Sequence, residues 1–253
     1  MKFNWKVVIA VAALAAAPTL AATISEDFES YPLGSLDGQT GPGGISWSKT
    51  SLGGTADAYA ALPGYNSEKS GRWDVKDIGT VSEGDDMLGA FAGIGPQVTL
   101  TAWTYSFLSV DPLFTGKRYA EVSLLDNLLS GVGIGLVWRA DGFLGDTNGN
   151  VSALSFVNQQ WKQIQIDIDY AAGTYATYYD GNLVSAGALV GVSSTNAAAL
   201  LNILLETKSL ATVPNPNDSF LVDDILITPE PVSYTHLRAH ETPEHLVCRL
   251  LLE

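Results

Sequence analysis

Residues Trp161–Val184 read WKQIQIDIDYAAGTYATYYDGNLV. Ile164, Ile166 and Ile168 recur at every second position, the period that places alternate side chains on one face of a β-strand. Asp167 and Asp169 fall in the opposite phase, which assigns them to a solvated face. Trp161 joins the isoleucine face if the register slips after Lys162. Ala171-Ala172-Gly173 turns the chain and Thr174–Tyr179 returns. Asp180-Gly181 then makes a second tight turn, because an Asp-Gly pair accepts the positive φ angles that a two-residue hairpin requires. The segment therefore predicts consecutive hairpins, the unit of an antiparallel sheet.

The same punctuation extends outward in both directions. Gln97–Val110 (QVTLTAWTYSFLSV) alternates threonine and serine with Val98, Leu100, Ala102, Tyr105 and Phe107, and a slip near Trp103 predicts a bulge. Arg118–Leu125 and Gly131–Arg139 read as further strands. Ser219–Thr228 (SFLVDDILIT) is apolar on both faces, as in a strand with neighbours on either side. One segment departs from this pattern: Asn196–Thr207 (NAAALLNILLET) combines strong helix formers with a capping Asn196 and predicts one short helix. Gly34–Gly54 is rich in loop residues. Short strands, frequent turns and an absence of alternating helices predict an all-β, two-sheet sandwich with one short helix.

Two end segments lie outside that body. Met1–Ala22 carries Lys2 and Lys6, an apolar run from Val7 to Ala17, and small residues before Ala22, the three parts of a cleaved secretory signal. The apolar run is shorter than the roughly 20 residues a membrane-spanning helix needs. At the other end, VSYTHLRAHET (Val232–Thr242) and HLVCRLLLE (His245–Glu253) resemble translated sequencing-adapter and primer strings. The expectation is that Val232–Glu253 is an artefact and that the natural chain continues differently beyond Pro231.

Composition then narrows the chemistry. His236, His240, His245 and Cys248, the chain's complete histidine and cysteine content, all lie in that tail. A body without them has no disulfide, thiol nucleophile, imidazole base or ordinary zinc site. The whole chain carries 27 Asp and Glu against 13 Lys and Arg, a net charge of −14. Such a balance excludes nucleic acid and anionic membrane surfaces as general partners.

The hairpin W-x-x-I-x-I-D-I-D followed by G-T-Y-x-x-Y-Y-D-G-N-L-V (Trp161–Val184) resembles the core hairpin of laminin-G-like and concanavalin A-like jelly rolls. Glu26-Asp27-Phe28-Glu29-Ser30-Tyr31 and Phe220-Leu221-Val222-Asp223-Asp224-Ile225 are similar to the first and last strands of such domains and of related carbohydrate-binding modules. Thr228-Pro229-Glu230-Pro231 resembles the start of the PEP-CTERM sorting signal, without the apolar span and basic end that complete it in that family. Together these resemblances imply residues 23–228 as a jelly roll and 229–231 as the start of a truncated sorting signal. They also imply an exported protein, at the surface of or outside a Gram-negative cell that makes exopolysaccharide. Its partners would be extracellular polysaccharide and, through the missing C-terminus, the sorting machinery and a membrane anchor. Related jelly rolls often hold a structural calcium between the first and last strands, which implies Glu26, Glu29, Asp223 and Asp224 as ligands.

Residue chemistry adds three readings. Glycosidases on this fold use carboxylates at alternate positions of one strand, E-x-D-x-E, and no such string occurs, so a non-catalytic binding or matrix module is favoured over a carboxylate-driven glycoside hydrolase or a purely structural surface protein. Asp146-Thr147-Asn148-Gly149-Asn150 has a partial calcium-loop pattern but reads as a turn. Sugar binding needs an exposed aromatic ring. Trp47 and Trp73, in Gly- and Ser-rich surroundings, are the candidate platforms, whereas Trp103, Trp138 and Trp161 read as core.

Overall fold

The computed structural model describes residues 22–49, 59–61, 63–74, 85–114, 118–126, 133–190, 198–205 and 218–229. The expected signal segment, residues 230–231 and the adapter-like tail lie outside the described residues.

The first strands are short: β1 (Ile24–Glu26), β2 (Gly34–Ser35), β3 (Ser46–Lys49), β4 (Tyr59–Ala61) and β5 (Ser70–Asp74). Two long strands follow, β6 (Asp85–Ile94) and β7 (Gln97–Phe107), and a 3-10 turn at Pro112–Phe114 leads to β8 (Arg118–Asp126) and β9 (Gly133–Arg139). Hairpins then dominate, through β10 (Phe143–Asp146), β11 (Val151–Ser155), β12 (Trp161–Asp169), β13 (Thr174–Tyr179) and β14 (Asn182–Ala188). The last strands are β15 (Ala198–Leu205) and β16 (Ser219–Pro229).

Among the described residues they form two antiparallel sheets. Nine strands run in the order β14-β13-β12-β7-β16-β5-β4-β2, with β1 also on β16, and seven run β11-β10-β9-β8-β15-β6-β3. The molecule is thus an all-β, two-sheet jelly-roll sandwich. The quoted hairpins form as read. Ile164, Ile166 and Ile168 are buried, and the second turn has φ of 52° at Asp180 and 76° at Gly181. Inward residues of the two sheets interlock: Trp138 of β9 meets Phe220 of β16 edge-on, with ring centroids 4.7 Å apart. Leu100, Val122, Leu136, Leu201 and Ile203 fill the space around them.

Three expectations are corrected. Asn196–Thr207 is not a helix where described: Ala198–Leu205 is β15, paired with β6 on one side and β8 on the other. Leu201, Ile203 and Leu205 are buried at alternate positions, so packing and two ladders override intrinsic helix propensity. β7 has no slip at Trp103, since its burial alternates without interruption. Thr104 and Ser106 point inward, with their hydroxyls donating to the carbonyls of Lys162 and Val157 at 3.1 and 3.4 Å. β12 likewise keeps one register along β7 from Trp161 to Asp169, so Trp161 is on the outer face. The irregularity lies in the neighbouring strand β16, between Asp223 and Leu226.

That break has a structural cause. On the edge away from β7, β16 pairs with β5 from Ser219 to Val222 and with β1 from Ile225 to Ile227. The changeover falls at Asp223-Asp224, and Asp224 takes a left-handed backbone with φ of 47°.

Candidate functional site

Outward-facing residues of the nine-stranded sheet carry several aromatic side chains that the core does not absorb. In β7 they are Trp103 and Tyr105, in phase with Thr99 and Thr101 and opposite to Val98, Leu100 and Ala102. Trp161 of β12 pairs in register with Tyr105. Their rings lie 5.5 Å apart. Tyr65, from the loop between β4 and β5, completes the group. It stacks on Trp103 with centroids 3.8 Å apart and planes 16° from parallel, and it meets Trp161 edge-on at 5.8 Å.

The loop is held there by Asp223. This residue sits opposite Trp103 across the β16–β7 ladder. Although it shares that outward face, it has no solvent exposure. Its carboxylate accepts the Tyr65 backbone N–H at 2.6 Å, the Ser67 hydroxyl at 2.9 Å and the Asp224 N–H at 2.8 Å. Burial pushes its pKa up, and these donors only partly offset that.

Beside Trp103, at the β5-to-β1 changeover, the surface opens into a recess of about 360 Å³. Trp103 and Thr101 of β7 and Gln163 of β12 line the sheet side, and Asp27, Pro42 and Asp224 line the edge. Asp224 is half-buried, and its carboxyl is raised by burial and then by the charge of Asp27. Asp224, one of the lining residues, has a left-handed backbone. A left-handed non-glycine residue costs roughly 1 kcal/mol or more, and such residues cluster where a site has to be shaped. The recess offers part of the Trp103 side chain, the carboxylates of Asp27 and Asp224 as acceptors, and amide and hydroxyl groups as mixed donors and acceptors. That combination fits a polyol with an apolar face.

The expected platforms are elsewhere. Trp47 and Trp73 are 1% and 0% exposed. They pack edge-to-face at 6.4 Å inside an aromatic cluster with Phe28, and no ligand can reach their faces. Trp138 is core, as read, whereas Trp103 and Trp161 are not. The period-2 phase within Gln97–Phe107 and Trp161–Asp169 contains the signal that separates them.

The expected calcium ligands do not fit a shared ion. The first and last strands do meet, with Glu26 in register with Ile225. Yet Glu26 points into the core and accepts the Phe28 N–H at 3.0 Å and the Tyr31 hydroxyl at 2.6 Å, while Trp47 Nε1 donates to that hydroxyl at 2.9 Å. Burial raises its pKa. Glu29 accepts the Lys69 N–H at 2.6 Å, Asp223 is engaged as above, and of the four only Glu26 and Asp224 line the recess. Among the described residues no three His, Cys, Asp or Glu side chains gather as a metal-ligand set.

Asp167 and Asp169 lie outward, as the isoleucine phase requires, and accept from Thr99 Oγ1 at 2.7 Å and Gln97 Nε2 at 2.6 Å. Asp146–Asn150 is the turn between β10 and β11. The Asp146 carboxylate accepts from Asn150, from Tyr175 Oη and from Ser185 Oγ, so it ties the end of one sheet to the other.

No protein-family model matches the sequence. No curated protein matches it significantly in sequence. Solved structures do match in fold. A sialidase superposes with a TM-score of 0.56 at 12% identity over 83% of this chain, and the matched part is 18% of the sialidase chain. The cellulose-induced protein Cip1 superposes with a TM-score of 0.54 at 13% identity, over 81% of this chain and 96% of its own. At these identities the likeness is one of fold: a two-sheet β-sandwich.

Proposed function

We propose that this chain is an exported, non-catalytic carbohydrate-binding module that holds an extracellular polysaccharide on the outer face of its nine-stranded sheet. The observation that carries the reading is Trp103, backed by Tyr65 on one side and lining a polar recess with the rest of its ring. A sugar ring stacks its C–H face on such a surface, and Gln163, Thr101, Asp27 and Asp224 are placed to read hydroxyls around it. Export and delivery to the cell surface rest on the signal-like Met1–Ala22 and on the sorting motif that begins at Thr228-Pro229-Glu230-Pro231.

The test is a binding panel of soluble neutral and acidic polysaccharides, read by affinity electrophoresis and calorimetry with wild type and Trp103→Ala. Retention on at least one glycan, weakened about tenfold or more by Trp103→Ala, supports the reading; loss of one stacked base or ring costs about that much. Equal retention of both proteins overturns the site. Reducing-sugar release that disappears in Asp224→Asn overturns the non-catalytic assignment, because hydrolysis would then depend on a recess carboxylate.

A further inference from the structure

Ser25, Leu226, Thr101, Gln165, Tyr178 and Leu183 form one row across β1, β16, β7, β12, β13 and β14, each in register with the next. None of these residues is buried. The row crosses the outward face of the nine-stranded sheet, perpendicular to its strands. It begins at the recess, which Ser25, Leu226 and Thr101 line, and leads away from it over Gln165 to Tyr178. Trp103 and Gln163, which also line the recess, are register partners one outward position further along β7 and β12.

Tyr178 differs from the other aromatic residues of this face. Burial alternates along β13, so Tyr175, Thr177 and Tyr179 turn inward while Tyr178 turns outward. Tyr65, Trp103, Tyr105 and Trp161 contact one another, and Tyr178 stands apart from them. Among the described residues its ring has no aromatic contact and its hydroxyl no hydrogen bond, and the side chains of Thr101 and Gln163 are equally unengaged. The neighbouring outward residues are closed on themselves: Thr99 donates to Asp167 at 2.7 Å, and Gln165 Nε2 donates to both Asp167 oxygens at 2.9 Å. Gln165 keeps its amide oxygen as an acceptor.

Strand spacing and charge define what fits the row. Adjacent strands lie about 4.8 Å apart, close to the advance of one pyranose in an extended chain. A glycan laid across the strands thus sets one ring at Trp103, the next over the two glutamines, and another against Tyr178. In the six strands of the row Lys162 is the only basic residue, and its ammonium is bonded to Asp180 at 2.7 Å. Glu26, Asp167, Asp169, Asp223 and Asp224 are the acids of those strands, so a uronate or sulfated chain is repelled there.

We propose that the binding face extends from the recess to Tyr178 and takes several consecutive residues of a neutral polysaccharide, with Tyr178 as a second stacking platform. The proposal rests on the glycan reading above and adds to it a direction across the strands, a length and a neutral charge.

The experiment titrates disaccharides, tetrasaccharides and hexasaccharides of the cello-, laminari- and malto- series, and hexagalacturonate, by calorimetry. The proteins are wild type, Tyr178→Ala, Trp103→Ala and, as a control exposed on the other sheet, Phe143→Ala, each first checked by thermal melt. At least one neutral series is expected to gain affinity from disaccharide to hexasaccharide. Tyr178→Ala should weaken that hexasaccharide about three- to tenfold, the loss of one stacked ring, and leave the disaccharide unchanged. Trp103→Ala should weaken both, and Phe143→Ala neither. Affinity that does not rise with length, or a rise that Tyr178→Ala retains, overturns the extension, while dependence on Trp103 keeps the glycan reading. Tighter binding of hexagalacturonate than of every neutral series, or no neutral binding at all, overturns the neutral assignment. If Tyr178→Ala does not fold, the wild-type amide resonances decide: a hexasaccharide that leaves Gln165 and Tyr178 unshifted overturns the extension.

Discussion

Tyr65 and Asp223 are joined by a hydrogen bond of 2.6 Å from a backbone N–H to a carboxylate with no exposure to solvent. Through it, a charged group within β16 fixes the loop whose ring backs Trp103. Removing that acceptor leaves the N–H groups of Tyr65 and Asp224 and the hydroxyl of Ser67 without it. Asp223→Ala is expected to lower stability by about 1–3 kcal/mol, the range for stranding buried donors. Near-UV circular dichroism should lose the signal of the stacked pair. An unchanged spectrum and denaturation midpoint would count against the linkage.

The five body tryptophans should separate into two classes. Trp47→Ala and Trp73→Ala each empty a core position, with an expected loss of about 3–5 kcal/mol. Trp103→Ala removes a half-buried ring and its stacking partner, worth about 0.5–1.5 kcal/mol beyond area. Glycan retention should follow the opposite order, with Trp103→Ala binding worst per unit of stability lost. Chemical denaturation beside affinity electrophoresis measures both.

Acid stability should depend on Asp146. Its donors, first Asn150 and Ser185 and then Tyr175, outweigh burial and hold its pKa below the ordinary carboxylate value. A carboxyl depressed in the folded state stabilises above its unfolded pKa, and the contribution disappears as pH falls through the folded value. The stability gap between wild type and Asp146→Asn is therefore expected to be full at neutral pH and to close below about pH 4, the unfolded Asp value. Glu26 and Asp223, raised by burial, act in the opposite direction: their contribution is present at low pH and is lost as pH rises through their folded values. A gap that widens on acidification would refute the assignment for Asp146.

A scan through β15 distinguishes strand from helix. Leu201→Ala and Ile203→Ala are expected to cost about 2–5 kcal/mol each. Asn202→Ala, between them on the outer face, should stay under about 1 kcal/mol, as expected for one long polar contact. Large effects spaced every third or fourth residue would restore the helix.

The hairpins and the central strand were legible because a half-buried sheet writes its period into the sequence, whereas the meeting of β1 and β16 was implied only by the jelly-roll resemblance. Ile164, Ile166 and Ile168 need no partner to be read. The helix misreading at Asn196–Thr207 shows the opposite case. Ala and Leu favour a helix locally, and only the flanking ladders of β6 and β8 reverse that. The tryptophans were misassigned by neighbourhood: Gly and Ser around Trp47 and Trp73 suggested surface, but both sit on short strands whose alternate residues face the core. Trp103 lay in a strong strand, and its phase was obscured because Thr104 and Ser106, though polar, face inward. The calcium set failed for a related reason. Spacing can place Glu26 near β16, but it does not reveal that Phe28, Tyr31, Tyr65 and Ser67 already supply donors to these carboxylates.

β16 borders β5 over its first half and β1 over its second, and the recess opens at the gap between those two neighbours. Its wall from Ser25 to Asp27 comes from the start of the folded body, and Asp224 comes from near its end. The recess is therefore a closure, completed when segments far apart in the sequence come together. During synthesis the β7–β12 side of the recess can form first, and the recess is completed only when β16 has been made. A ligand seated across the gap would join the three-residue strand β1 to the middle of β16.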